Sequence, residues 1–262
     1  MNLTMTNQYA LVCGASQGIG KACAIALAKQ GANVILFARN QQTLNQVLAE
    51  LDNSQGQNHQ VLVADFSLPE QVSQALSSCL TQIPGIDIVI NNTGGPAPGL
   101  ASDSEAELFA RAFNQHLVNN QNIAQLVLPH MKSQQFGRII NVISTSVKQP
   151  IQGLGVSNTI RGAVASWAKT LANELGQYNI TVNNVLPGAT ATARLDAIIA
   201  GKAKKQGISI EQATINEKAT IPMARFAQPE EFADAVTFLA SKSASYITGI
   251  NLPVDGGRTS CL

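Results

Sequence analysis

A glycine-punctuated turn, Gly14-Ala15-Ser16-Gln17-Gly18-Ile19-Gly20, is the first stretch of this chain whose residue types and spacing point to chemistry. It follows an apolar run, Tyr9–Cys13, and opens a helical pattern over Gly18–Gln30. The spacing G-x-x-x-G-x-G is a variant of the dinucleotide fingerprint. Gly14 permits a tight turn, Gly18 lets the backbone approach a pyrophosphate, and Gly20 lets the helix pack closely on the strand. The helix N-terminus then presents amide donors and a partial positive charge to phosphate. A purely structural turn has much the same composition. Position favours the nucleotide: the turn sits in the first strand–helix–strand unit, where that chemistry needs it.

The end of the second apolar run bears on which dinucleotide. A site for NAD places a carboxylate there, to accept from the ribose 2′-hydroxyl. Here Asn33–Ala38 ends on alanine, and Arg39-Asn40 follow. No carboxylate repels a 2′-phosphate, and Arg39 can bind one through paired, charge-assisted hydrogen bonds. The competing reading is a solvated surface arginine. NADP(H) is expected over NAD(H).

The elements that must position these residues alternate regularly. Strand runs are expected at Tyr9–Cys13, Asn33–Ala38, Gln60–Ala64, Ile86–Ile90, Arg138–Ile143, Thr181–Leu186 and Ile250–Val254. Helical patterns fall between them at Gly18–Gln30, Gln41–Asp52, Pro69–Gln82, Glu105–Ser133 and Asn158–Gly176. The strands lack strict alternation of apolar and polar residues, as strands covered on both faces do, so the sheet should be parallel. This order predicts one doubly wound α/β domain over residues 1–262, Rossmann-like, with about seven strands. Thr190–Ala227 interrupts the rhythm with two helical pieces around a Gly-Ile-Ser turn. A long excursion beyond a strand's carboxyl end is a candidate substrate lid, residues 190–227.

Composition narrows the partners. With 262 residues, 45% of them hydrophobic, the chain can bury a sizeable core. A net charge of +1 gives no electrostatic case for nucleic acid or an anionic membrane. No apolar run reaches the roughly 18 residues of a membrane span. The start, Met1–Gln8, lacks the basic-then-apolar order of a signal peptide. Cys13, Cys23, Cys79 and Cys261 form no C-x-x-C pair and the histidines do not cluster, so neither a metal nor a disulfide framework is expected. A soluble protein in a reducing, cytoplasmic setting follows.

Six stretches, in order, resemble the landmarks of the short-chain dehydrogenase/reductase family. Cys13–Gly20 (CGASQGIG) is similar to TGxxxGIG, with Cys for Thr, and Asn91–Gly94 (NNTG) to NNAG. Gly137–Ser144 (GRIINVIS), Ile180–Gly188 (ITVNNVLPG), Gln228–Glu231 (QPEE) and Tyr246–Gly257 (YITGINLPVDGG) follow. The resemblance implies a cofactor site made by Gly14, Ser16, Gln17, Gly18, Ile19 and Gly20, with Arg39 and Asn40. It implies that Asp65 accepts from the adenine amino group, with Phe66 beside it. Asn91, Asn92 and Gly94 would brace the fourth strand and meet the adenosine side. Thr192, after Pro187 and Gly188, would hold the nicotinamide carboxamide. It also implies a homo-oligomer, most naturally a homotetramer, paired through the helices at Glu105–Ser133 and Asn158–Gly176.

The family's catalytic pattern is Ser, then Tyr thirteen residues on, then Lys four further, with an Asn on the preceding helix. Ser144 matches the serine, but the next two positions hold Ser157 and Arg161, and the Asn position holds His116. Tyr9, Tyr178 and Tyr246 are too far along the chain for a small shift to help. A serine hydroxyl is a much weaker acid than a phenol, and arginine stays protonated. Arginine can still donate to ribose hydroxyls and stabilise an alkoxide. Ser144, Ser157 and Arg161 are therefore the expected catalytic residues, with His116 and Lys148 as ionisable neighbours for which structural roles are favoured. Gly94–Gly99 and Val147–Pro150 resemble a divergent branch often labelled 3-oxoacyl-carrier-protein reductases. Three functions follow: an NADP(H)-dependent oxidoreductase acting on a small carbonyl or alcohol, a nucleotide-binding protein without hydride chemistry, or a lyase or isomerase on the same fold.

Overall fold

The computed structural model describes residues 2–261. Seven parallel strands form one sheet in the order β3-β2-β1-β4-β5-β6-β7. They are β1 (Tyr9–Cys13), β2 (Asn33–Ala38), β3 (Gln60–Val63), β4 (Ile88–Asn91), β5 (Gly137–Val142), β6 (Ile180–Pro187) and β7 (Asn251–Val254). The parallel sheet and doubly wound order match expectation. Helices α1 (Gly18–Lys29), α2 (Gln41–Leu48) and α9 (Pro229–Ala240) cover one face. Helices α3 (Pro69–Leu80), α5 (Asn119–Gln134) and α6 (Gly155–Leu175) cover the other. Strand order reverses between β1 and β4, which opens a crevice beyond their carboxyl ends.

The expected helix over Glu105–Ser133 is not continuous. It divides into α4 (Ala106–Phe113), one π turn (Asn114–Val118) and α5, which carries Pro129 inside it. A π turn inserts one residue without breaking the apolar pattern, so the sequence reads as unbroken. Helix α6 starts at Gly155, before the expected Asn158, and Gly155 lies so close to Ala101 that a Cβ would sit 2.3 Å from its N. Ser157 and Arg161 therefore lie together on its first turns. Helix α2 ends at Leu48, short of Asp52, and β4 starts at Ile88 rather than Ile86. Residues 190–227 contain α7 (Ala193–Gln206) and α8 (Ile210–Ala219), joined through Gly207, which has a φ of 66°. Ile199 and Ala203 of α7 pack with Ala213 and Ile221 as a separate small core, with Ile208 against it, while Ile210 is exposed. Glu217 of α8 pairs with Lys202 of α7 and with Arg258, and the second ion pair ties this segment to the C-terminal tail. No helix among the described residues is long and apolar enough to cross a membrane.

The sheet carries a feature that strand prediction does not reveal. Asn91, Asn141, Asn184 and Asn251 stand side by side in register on four adjacent strands. Asn91 Nδ2 donates to Asn141 Oδ1, Asn141 Nδ2 to Asn184 Oδ1, and Asn184 Nδ2 to Asn251 Oδ1, at 2.8–2.9 Å. An amide pairs with an amide in the same orientation, so the chain can propagate across the sheet. It fixes the register of β4, β5, β6 and β7, running from the carboxyl ends of β4 and β5 through the middle of β6 to the first residue of β7.

Candidate active site

The glycine turn closes the crevice at the end of β1. Gly14 and Gly18 adopt φ values of 61° and 55°, a region other residues enter only at a cost. A Cβ on Gly20 would meet the Gly14 carbonyl at 2.2 Å, which is the close helix–strand approach expected of it. Asn92 Nδ2 donates to the carbonyls of Cys13 and Gly14 and so braces the turn from β4. Ala15 and Gly20 are buried, Ser16 is half-buried, and Gln17 is exposed at the N-cap of α1 without capping by its side chain. The side chain of Ile19 packs on the core. The amides of the first turn of α1 are left facing the crevice.

Other implied cofactor residues divide by what their side chains already do. Arg39 is exposed beyond β2, near enough to Asp65 to lower the pKa of that carboxyl alongside the hydrogen bonds from Ser67. Asn40 caps α2, its side chain accepting from Thr43 N at 3.1 Å. Phe66 is 8% exposed and packs on Phe37 at 4.9 Å between ring centroids, so only its backbone is free for a ligand, and its carbonyl accepts from Asn119. Asn91 is spent on the amide ladder. Gly94 is exposed and a Cβ there would meet nothing. Pro187 ends β6, and Gly188 lies so close to Asp255 that a Cβ would sit 2.5 Å from its Cα. Thr192 caps α7, accepting from Leu195 N, and its methyl group lies over Gly18, so the start of residues 190–227 covers the glycine turn.

On the opposite wall, Ser144 follows β5 and caps a short 3₁₀ turn, its Oγ accepting from Ser146 N at 3.1 Å. Its hydroxyl proton remains available. Ser157 is half-buried on α6. Arg161, one turn on, is only 7% exposed. Its Nη1 donates to the Val142 carbonyl at the end of β5 at 3.0 Å, while its Nε has no partner. Its side chain therefore points into the crevice wall and not to bulk solvent. Burial, and then the charge of Arg194, pull its pKa down to about 10, which leaves it cationic at neutral pH.

His116 sits in the π turn and is 2% exposed. Its Nδ1 is hydrogen-bonded to Thr93 Oγ1, and its Nε2 is buried without a partner. Burial, and then the charge of Arg161, drive its pKa down to about 2, so it is neutral and cannot donate a proton as imidazolium at pH 7. Lys148 lies one turn beyond Ser144 and is half-buried. The residue that sequence reasoning passed over is Arg194. It sits in the first turn of α7, and its Nη2 donates to the Pro96 carbonyl at 2.9 Å across the crevice mouth.

A family model described as enoyl-(acyl carrier protein) reductase matches residues 14–259. The NADPH-dependent reductase BacG of Bacillus subtilis is 32% identical over 97% of this chain and 98% of its own length. The 3-oxoacyl-[acyl-carrier-protein] reductase FabG of Vibrio cholerae is 32% identical, with coverage of 97% and 98%. Among solved structures, the L-sorbose reductase of Gluconobacter frateurii complexed with NADPH and L-sorbose superposes with a TM-score of 0.93 at 28% identity over 100% of both chains.

Proposed function

Because the chain belongs to the short-chain dehydrogenase/reductase family, we propose that it is an NADP(H)-dependent oxidoreductase working on a carbonyl or alcohol through a Ser144–Ser157–Arg161 site. The observation that carries the reading is Arg161: a buried cation in the wall of the crevice, anchored to the end of β5. The glycine turn suits a pyrophosphate, and the exposed Arg39, which forms no ion pair among the described residues, suits a 2′-phosphate. NADPH, when bound, supplies the hydride.

The chain's own residues do the rest. The Ser144 hydroxyl donates a hydrogen bond to the substrate carbonyl. Arg161 holds the nicotinamide ribose with donors other than the one given to Val142, and its charge stabilises the alkoxide that forms. Ser157 positions substrate or water, and water delivers the proton that tyrosine delivers elsewhere in the family. Residues 190–227 cover the substrate. The relatives that use or bind NADPH support the cofactor.

The second reading is a nucleotide-binding protein without turnover. It draws on the serine that replaces tyrosine and on a His116 held neutral. Following NADPH absorbance over a panel of aldehydes, ketones and oxo acids separates the two. NADPH binding without consumption across the panel overturns the catalytic reading. Product formed without net cofactor oxidation points instead to a lyase or isomerase.

A further inference from the structure

Two guanidinium groups converge on Gly95. The Nη2 atoms of Arg161 and Arg194 each lie 3.8 Å from the point a Cβ on Gly95 would occupy. They come from different elements, α6 and the first turn of α7, and meet over the loop after β4. Among the described residues neither has a carboxylate within ion-pairing distance, although six other ion pairs form in the structure. Arg161 is 93% buried by its 7% exposure, and its Nε is a buried donor with no acceptor. Two like charges brought together, one of them desolvated and under-bonded, are destabilising unless an anion completes them. A Cβ on Gly95 would be in van der Waals contact with both guanidinium groups, so the glycine keeps that atom out from between them.

The geometry points to a carboxylate of the substrate seated between Arg161 and Arg194 above Gly95, so that the carbonyl compound reduced is an oxo acid. The inference rests on the reading of this crevice as a reductase site and names its substrate class. A carboxylate offers two planar acceptors that match guanidinium forks. Arg161 also binds the carbonyl of Val142, two residues before Ser144. An acid held by Arg161 therefore brings a neighbouring keto group toward the Ser144 hydroxyl. The phosphates have their own seat at the glycine turn, at the end of β1, whereas Gly95 follows β4 on the β5 side.

Malonate and its neutral analogue malonamide test this on the protein saturated with NADPH, by calorimetry. Malonate should bind and malonamide should not. Arg194→Gln should weaken malonate roughly 10- to 100-fold, the loss of one charged hydrogen-bonding partner, and Arg194→Lys should weaken it less. NADPH affinity should change less than about threefold in Arg194→Gln, which also shows that the variant is folded. Malonate binding that is absent, matched by malonamide or indifferent to Arg194 overturns the inference. So does malonate that binds only without NADPH while Arg194→Gln weakens NADPH, since the pair then serves a cofactor phosphate. Failure of NADPH to bind the parent protein counts against the reductase reading itself.

Discussion

Thr93 Oγ1 and His116 Nδ1 lie 2.5 Å apart, joining the loop after β4 to the π turn between α4 and α5. The bond holds a ring that is 2% exposed and whose pKa is lowered to about 2. A histidine that cannot protonate in the folded state but does so near 6.5 when unfolded makes stability depend on pH. The unfolded chain binds more protons below 6.5, so this contribution is complete at neutral pH and is lost as pH falls through the window from about 6.5 to 2. Unfolding by urea at pH 7 and pH 5 should show a fall of about 2 kcal/mol from this group. In His116→Asn that part of the fall should vanish. An unchanged difference would mean that the ring is charged or exposed in the native protein.

Arg39 should decide the cofactor. Arg39→Asp places a carboxylate where it accepts from a 2′-hydroxyl and repels a 2′-phosphate. Titration of NADPH should weaken by about tenfold or more, the value of one charged hydrogen-bonding partner, and NADH should bind more tightly than to the parent. Equal parental affinities for the two cofactors would count against this role.

The strands were legible because each is a short apolar run between turn signals, fully buried in the middle of the sheet and half-buried at its edges, β3 and β7. The glycine turn was legible because its positive φ values and close approach admit so few residue types. The π turn was not, since one inserted residue leaves the apolar stripe of α4 and α5 intact. The amide ladder was not, because each asparagine is a lone polar residue in its own run and only strand register brings the four together. Arg138 reads as the polar start of β5, yet it is 2% exposed and donates to the carbonyls of Gly137, Asn179 and Ser241. Arg194 reads as a lone basic residue at a helix start. Its meaning depends on a loop almost a hundred residues away, and no local pattern encodes that contact.

Asn141 should be the most sensitive position of the ladder. It is fully buried and serves both neighbours, so Asn141→Ala strips a partner from Asn91 Nδ2 and from Asn184 Oδ1. Each orphaned group costs about 1–3 kcal/mol, and the vacated volume adds to that. Thermal unfolding should shift down by roughly 5–15 °C. A shift within a degree or two would show that water replaces the amide at no cost.

Assembly should run through α4 and α6. Phe109, Phe113 and Ile160 line an apolar hollow of about 350 Å³ between these helices, and Leu108 and Phe113 remain 43% and 41% exposed. Exposed large apolar side chains grouped in this way mark a contact surface, and the family pairs its subunits through these helices. Light scattering at micromolar concentration should give a multimer, a tetramer on the family's pattern, and Phe113→Asp should lower the mass. A monomeric parent protein would contradict the assembly.

Ser157 and Arg161 should differ sharply when removed, and the difference separates their roles. A residue that transfers the proton in the transition state contributes on the order of 100-fold or more. A serine hydroxyl is too weak an acid for that at neutral pH, so Ser157→Ala should lower kcat by less, through poorer placement of substrate or water. Arg161→Ala should abolish measurable turnover and weaken NADPH, because it removes both the ribose donor and the charge facing the alkoxide, and it leaves the Val142 carbonyl without its guanidinium. Denaturant melts of the same variants separate misfolding from lost chemistry, and Arg161→Lys, which keeps the charge, should recover part of the cofactor affinity. A Ser157→Ala loss beyond about 100-fold would make Ser157 the proton donor after all. Turnover surviving Arg161→Ala would remove Arg161 from the reaction and leave it as a strut beneath β5.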